Sequence, residues 1–163
     1  MKLVIFMELS KRKQNRLSDY DYSTSNAYFI TICTANRRNL FWDNPHDISL
    51  SMLGEMVRQS IEDIPKHYPV ISVDTYVVMP NHIHLLLQIH TDCNGRPMAA
   101  PTISTVMNQM KGIISKKAGF PVWQKGVYDH VVRGETDYRE IWNYIEGNPY
   151  RWSEDELFGQ GVK

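Results

Sequence analysis

Pro80-Asn81-His82-Ile83-His84-Leu85-Leu86-Leu87-Gln88-Ile89-His90 carries two patterns at once. Side chains along a β-strand alternate between the two faces of a sheet. Ile83, Leu85, Leu87 and Ile89 make one fully apolar row, suited to packing under helices. His82, His84, Gln88 and His90 fall on the other row, with Leu86 among them. Upstream, residues 70–79 read as a second strand ending at Met79-Pro80-Asn81, and Pro-Asn is turn chemistry. The two strands are the arms of a hairpin.

The elements around this hairpin fix the fold class. Residues 27–34 are β-branched and aromatic, hence a strand, with Asn36-Arg37-Arg38-Asn39 as the turn after it. Residues 50–66 place Leu50, Leu53, Met56, Val57, Ile61 and Ile64 at a helical period, with Ser49 or Ser51 as cap. Residues 103–118 repeat that period through Ile103, Val106, Met107, Met110, Ile113 and Ile114. Residues 127–133 read as a fourth strand, and Thr136 is placed to cap a last helix over about 137–147. The order β-α-β-β-α-β with a helix appended predicts an α+β, ferredoxin-like (split β-α-β) palm. Its antiparallel sheet would carry two helices on one face and leave the other open or covered by the last helix.

A chain of 163 residues is about one domain, long enough for a core without disulfides. We read residues 1–26 as a basic N-terminal arm and 27–163 as a single domain. The net charge is zero, which taken alone argues against a nucleic-acid partner. The sum conceals four blocks: +4 over residues 1–38, −5 over 39–95, +5 over 96–133 and −4 over 134–163. Fields follow the surface distribution of charge rather than its total. The expectation is a polarised surface, with the basic blocks on one side and the acidic first helix and C-terminal tail turned away. Two cysteines, Cys33 and Cys93, exclude a disulfide framework and a Cys-rich zinc site and point to a reducing, cytoplasmic setting. No apolar run approaches the roughly 18 residues of a membrane span.

His82 and His84, at i and i+2 on a strand, put two imidazoles on one side about 6–7 Å apart. That spacing can hold one divalent ion. The last helix offers Tyr144 and Asn148, four residues apart, about 100° off its core stripe of Tyr138, Ile141, Trp142 and Ile145. Gly147 and Pro149 threaten to end the helix before Asn148. Other hydrolase and phosphate-loop signatures are missing: no HExxH, no CxxC and no Gly-x-Ser-x-Gly occur.

At this point the chain resembles the HUH single-tyrosine transposases, and more closely their REP-associated tyrosine transposase branch. The resemblance rests on Arg16-Leu17, Tyr20-Asp21-Tyr22-Ser23 and the strand at 27–34. It continues in Val77-Val78-Met79-Pro80-Asn81-His82-Ile83-His84, with Ile83 as the hydrophobic residue between the histidines. Trp123-Gln124-Lys125, Tyr128-Asp129-His130-Val131-Val132-Arg133, and Tyr144-Ile145 with Asn148-Pro149 and Trp152 complete it, from about residue 11 to 152.

The resemblance implies roles. His82, His84 and Asn148 would bind Mg²⁺ or Mn²⁺. Tyr144 would be the nucleophile on single-stranded DNA, leaving a 5′-phosphotyrosine and a free 3′-OH, and the DNA would be a hairpin or palindromic repeat. Because ligation needs neutral imidazole, activity should fall below about pH 6.5. Lys11, Arg12, Lys13, Arg16, Arg37, Arg38, Lys111, Lys116, Lys117 and Lys125 are the expected phosphate contacts. Tyr20, Tyr22, Trp42 and Trp123 are candidates to stack on unpaired bases. His130 and Gln88 are candidate supports around the metal, and Tyr128 and Tyr138 are rival nucleophiles. The protein would act as a monomer or homodimer away from membranes. A hairpin-DNA-binding module without cleavage and an unrelated His-site hydrolase are the alternatives.

Overall fold

A computed structural model of the chain describes residues 27–44, 46–90 and 102–159. Lys11, Arg12, Lys13, Arg16, Tyr20, Tyr22 and Cys93 lie outside the described residues.

The expected strands form one antiparallel sheet. β1 (Ala27–Cys33) lies between β5 (His82–Ile89) and β6 (Tyr128–Val131), and β4 (Ile71–Val78) pairs with the outer side of β5. The register places Cys33 opposite His82, Thr31 opposite His84 and Phe29 opposite Leu86. The turn joining β4 to β5 is closed by Met79 N donating to His82 O at 2.8 Å. A short hairpin of β2 (Trp42–Asn44) and β3 (Ser49–Leu50) sits ahead of the first helix. No alternating pattern announces strands that short.

The apolar row of β5 is buried as its pattern demands: Ile83, Leu85, Leu87 and Ile89 are all fully covered. They share one core with Val57 and Ile61 of α1 (Met52–Glu62) and with Val106, Met107, Met110 and Ile114 of α3 (Ile103–Ala118). At about 1.5–3 kcal/mol per side chain, that row supplies roughly 6–12 kcal/mol of burial. The strand can therefore carry two buried imidazoles on its other face. Ser51 caps α1, its Oγ accepting from Gly54 N at 3.0 Å and donating to Leu40 O at 2.7 Å. A short helix, α2 (Ile64–His67), continues from it.

The second face of the sheet is covered by α4 (Gly134–Gly147), whose Ile141 and Ile145 pack on Phe29 and Leu86. Thr136 is exposed and does not cap this helix. The start falls three residues earlier than the expected 137, at Gly134 with φ 84°, and Asp137 accepts from Arg133 N at 2.8 Å. The carboxylate reaches back from the first turn to hold the N–H of the residue ahead of the helix. Among the described residues no helix is long and apolar enough to cross a membrane.

Candidate active site

Sheet register brings the two histidines to one spot, and what surrounds them decides what they can do. His82 and His84 are 0% and 2% exposed, and their Nε2 atoms stand 3.1 Å apart. His84 stacks on Phe29 and its Nδ1 is 2.7 Å from Thr31 Oγ1. His82 Nδ1 is 2.8 Å from Asn81 Oδ1.

Asn81 fixes the proton arrangement. Its Nδ2 donates to Leu157 O at 2.8 Å and to Arg37 O at 3.4 Å, so its Oδ1 must be the atom facing His82. An amide oxygen only accepts, so His82 carries its hydrogen on Nδ1 and presents a bare lone pair at Nε2. His84 then donates from Nε2, and its Nδ1 accepts from the Thr31 hydroxyl. A hydroxyl can also accept, so a turn of Thr31 lets His84 move its hydrogen to Nδ1 and bare the second Nε2. Both rings are neutral: burial lowers the pKa of His84 to about 3, and burial, His84 and Arg37 push His82 well below its usual value.

The third convergent group comes from the C-terminal segment. Asp155 lies with Oδ2 3.8 Å from His82 Nε2, and the ligand atoms of His82, His84 and Asp155 all fall within 4.8 Å of one another. The segment is tied down by the buried Leu157, by Asn81 Nδ2, and by Leu157 N donating to Asp155 Oδ1 at 2.7 Å. This corrects the expectation that the acidic tail turns away from the site. Asp155 had no motif or period to mark it in the sequence. The nearest signal was its place seven residues past Asn148 in a Trp-containing segment.

Tyr144 stands against the pair, its ring 5.3 Å from that of His84 and edge-on to Phe29. Burial and the nearby Asp155 push its hydroxyl up to about 12. Asn148 keeps helical angles at the end of α4, so the four-residue relation to Tyr144 survives the following proline. Asn148 is 3% exposed, and its Nδ2 is covered without a full hydrogen bond. The amide still lies close enough to lower the pKa of both Tyr144 and Asp155. Arg151 folds over Gly147, where an added Cβ would meet its Nη2 at 2.6 Å, and its charge also lowers Tyr144.

Other expected residues fall elsewhere. Gln88 is on the correct face but pairs with Ala27, six positions along β5 from His82 and about 20 Å away at strand rise, so it does not support the site. His130 shares the face of its partner Phe29, but its Nε2 is bonded to Asp137 Oδ2 at 3.0 Å. It braces the start of α4 rather than the histidine pair. Trp42 and Trp123 are not free to stack on bases: both are core residues, and Trp42 Nε1 donates to Val78 O. Tyr138 is engaged with Asp74 Oδ2 at 2.8 Å on β4, and Tyr128 lies opposite Thr31 on the site face.

Of the expected phosphate contacts that are described, Arg37 borders the cluster, its charge reaching His82 and Asp155. Arg38 lies over the Phe120 ring at 5.5 Å. Lys111 spends two donors on Gln124 O and Gly126 O. Lys116, Lys117 and Lys125 are exposed. The first two end α3, whose Ser115 Oγ accepts from Val122 N while Val122 O holds Ala35 N. They therefore stand at the same end of the sheet as His82, on its other face.

No family model matches the chain. It is 32% identical to an uncharacterized protein of Haemophilus influenzae over 90% of this chain and 93% of that protein. It is 24% identical to the REP-associated tyrosine transposase of Escherichia coli K12 over 80% of this chain and 70% of the relative. Its fold matches a REP-associated tyrosine transposase solved bound to a REP hairpin, with TM-score 0.63 and 22% identity over 86% of this chain and 77% of that one. In sequence the chain is thus similar to REP-associated tyrosine transposases, and it shares the fold of one. The chain belongs to one family with the Haemophilus influenzae protein.

Proposed function

We propose that this protein nicks and rejoins single-stranded DNA next to hairpin or palindromic repeat sequences, through a covalent link to Tyr144. The carrying observation is the contact of the Tyr144 ring with His84, which sets a phenol beside His82, His84 and Asp155.

Two neutral imidazoles and a carboxylate converging on one point can hold a divalent ion, and Mn²⁺, or the harder Mg²⁺ with water completing its shell, would be held by His82 Nε2, His84 Nε2 and Asp155. When bound, such an ion supplies a Lewis acid for a phosphate oxygen and a positive charge near the phenol. The donor set fits: Asn81 already leaves the His82 Nε2 lone pair bare.

Tyr144 Oη forms the new bond to phosphorus as the bond to the 3′-oxygen breaks. Its phenolic proton is lost and the departing 3′-oxygen gains one. The product keeps a phosphodiester-type bond, so attack by a 3′-OH reverses the step and joins strands. A phenol held at about 12 is a poor nucleophile, and Asp155 disfavours its anion. Asn148 and Arg151 act the other way, each stabilising the phenolate. Exposed Lys116, Lys117 and Lys125 would hold the DNA through phosphates.

The test is incubation with a hairpin oligonucleotide bearing a single-stranded flank and Mn²⁺, read as a protein–DNA adduct on a denaturing gel. The adduct is expected from the native chain and lost in Tyr144→Phe and His82→Ala. Binding without an adduct under any metal would instead leave a hairpin-binding module.

A further inference from the structure

Most cations among the described residues face water, where a charge is cheap to keep. Arg37 does not: it is 9% exposed, its Nη1 is fully covered, and that atom has no hydrogen-bond partner among the described residues. None of the ion pairs among the described residues includes it. A buried charge without a partner is costly unless something satisfies it.

The backbone beneath it is also unfavourable. Asn36 and Arg37 both take φ of 55°, left-handed values that non-glycine residues adopt rarely. The turn is held by Arg37 N donating to Thr34 O at 3.1 Å and by Asn81 Nδ2 donating to Arg37 O at 3.4 Å. The same Asn81 amide orients His82. One side chain thus ties the arginine backbone to the first imidazole of the cluster.

We propose that Arg37 is the seat of one particular DNA phosphate, the one docked against the His82–His84–Asp155 cluster, which its guanidinium, with Nη1 left unsatisfied, receives. The planar fork of a guanidinium matches two oxygens of a phosphodiester, and the covered setting strengthens the contact. An outer lysine such as Lys116 accepts any phosphate that passes and is screened by salt. Arg37 selects a position along the strand. This rests on the reading that the chain acts on DNA and adds which phosphate is gripped from inside.

The experiment uses the full chain in EDTA, so that no cleavage intervenes. Binding of a hairpin oligonucleotide with a single-stranded flank is followed by fluorescence anisotropy, with one flank phosphate at a time made a neutral methylphosphonate. With the native chain, one position should weaken binding roughly 10–100-fold. Arg37→Gln should weaken binding of the unmodified DNA by a similar factor and lose sensitivity at that position alone. Arg37→Lys should keep part of that sensitivity. Lys116→Gln should weaken every oligonucleotide alike and keep the positional profile. An Arg37→Gln chain that melts like the native one and keeps the native profile overturns the proposal. If Arg37→Gln does not fold, the Arg37→Lys profile decides, and an unchanged profile overturns it. A native chain that binds but shows no distinguished position overturns this proposal alone. A native chain that binds no hairpin DNA overturns the underlying reading as well.

Discussion

Acidification should unfold this protein earlier than its carboxylates alone would dictate, because the paired imidazoles are buried neutral. His84 has a folded pKa of about 3, against about 6.5 in an unfolded chain. Between those values the unfolded state binds a proton that the folded state refuses, so stability is complete above about pH 6.5 and falls as pH drops. From pH 7 to pH 5 the loss through His84 alone is about 2 kcal/mol. His82 is depressed in the same direction by burial, by His84 and by Arg37, and adds to the loss. Asp155 opposes it, because burial raises its pKa and the folded chain takes up that proton more readily. Against a total of roughly 5–15 kcal/mol this is large. Urea unfolding at pH 7, 6 and 5 should show the midpoint falling by about 1 M. Stability that stays level or rises from pH 7 to 5, or His84 ring protons titrating near pH 6.5 in the folded protein, would refute the reasoning. The expected onset of inactivation also moves: the folded imidazoles stay neutral below pH 6.5, so loss of the fold precedes loss of the ligands.

Three further outcomes follow from single contacts. Asp155→Ala should weaken Mn²⁺ binding roughly 10–100-fold by titration calorimetry, and unchanged affinity would remove Asp155 from the ligand set. Gly54→Ala should cost about 3 kcal/mol or more in thermal unfolding, because a Cβ there meets the Phe41 carbonyl oxygen at 2.2 Å and backbone cannot swing aside. A loss under about 1 kcal/mol would mean that the turn carrying Phe41 adjusts freely. Ser51→Ala should cost about 1 kcal/mol through the lost cap on Gly54 N, and a neutral result in urea unfolding would show that water replaces it.

The parts of the fold legible in the sequence are those set by local period. The apolar row of β5 predicted which face meets the helices, and residues 103–118 form α3 with those same bounds. The α4 start was misplaced because Thr136 looks like a cap, whereas Asp137 does the capping from inside the helix. Gln88 was assigned to the site because period fixes the face of a residue but not its distance along the strand. Trp42 and Trp123 were read as base stackers by residue type, yet each is buried in packing that only the tertiary fold creates.

Asp155 was missed for the same reason. It reaches His82 only because Leu157 is buried and its carbonyl is taken by Asn81, a contact between residues 76 positions apart. Asn81 itself read as a turn former, and its four roles appear only in three dimensions. It orients His82, anchors Arg37 and the C-terminal segment, and offers its own carbonyl to Thr34 N at 2.9 Å.

Peptide mapping of the covalent adduct tests the central claim most directly. The native chain, trapped with hairpin DNA and Mn²⁺, nuclease-trimmed and digested, should yield a nucleotide-bearing peptide whose modified residue is Tyr144, joined through a 5′-phosphate. An adduct on Tyr128 or Tyr138, or cleavage that leaves no covalent peptide, would contradict the account.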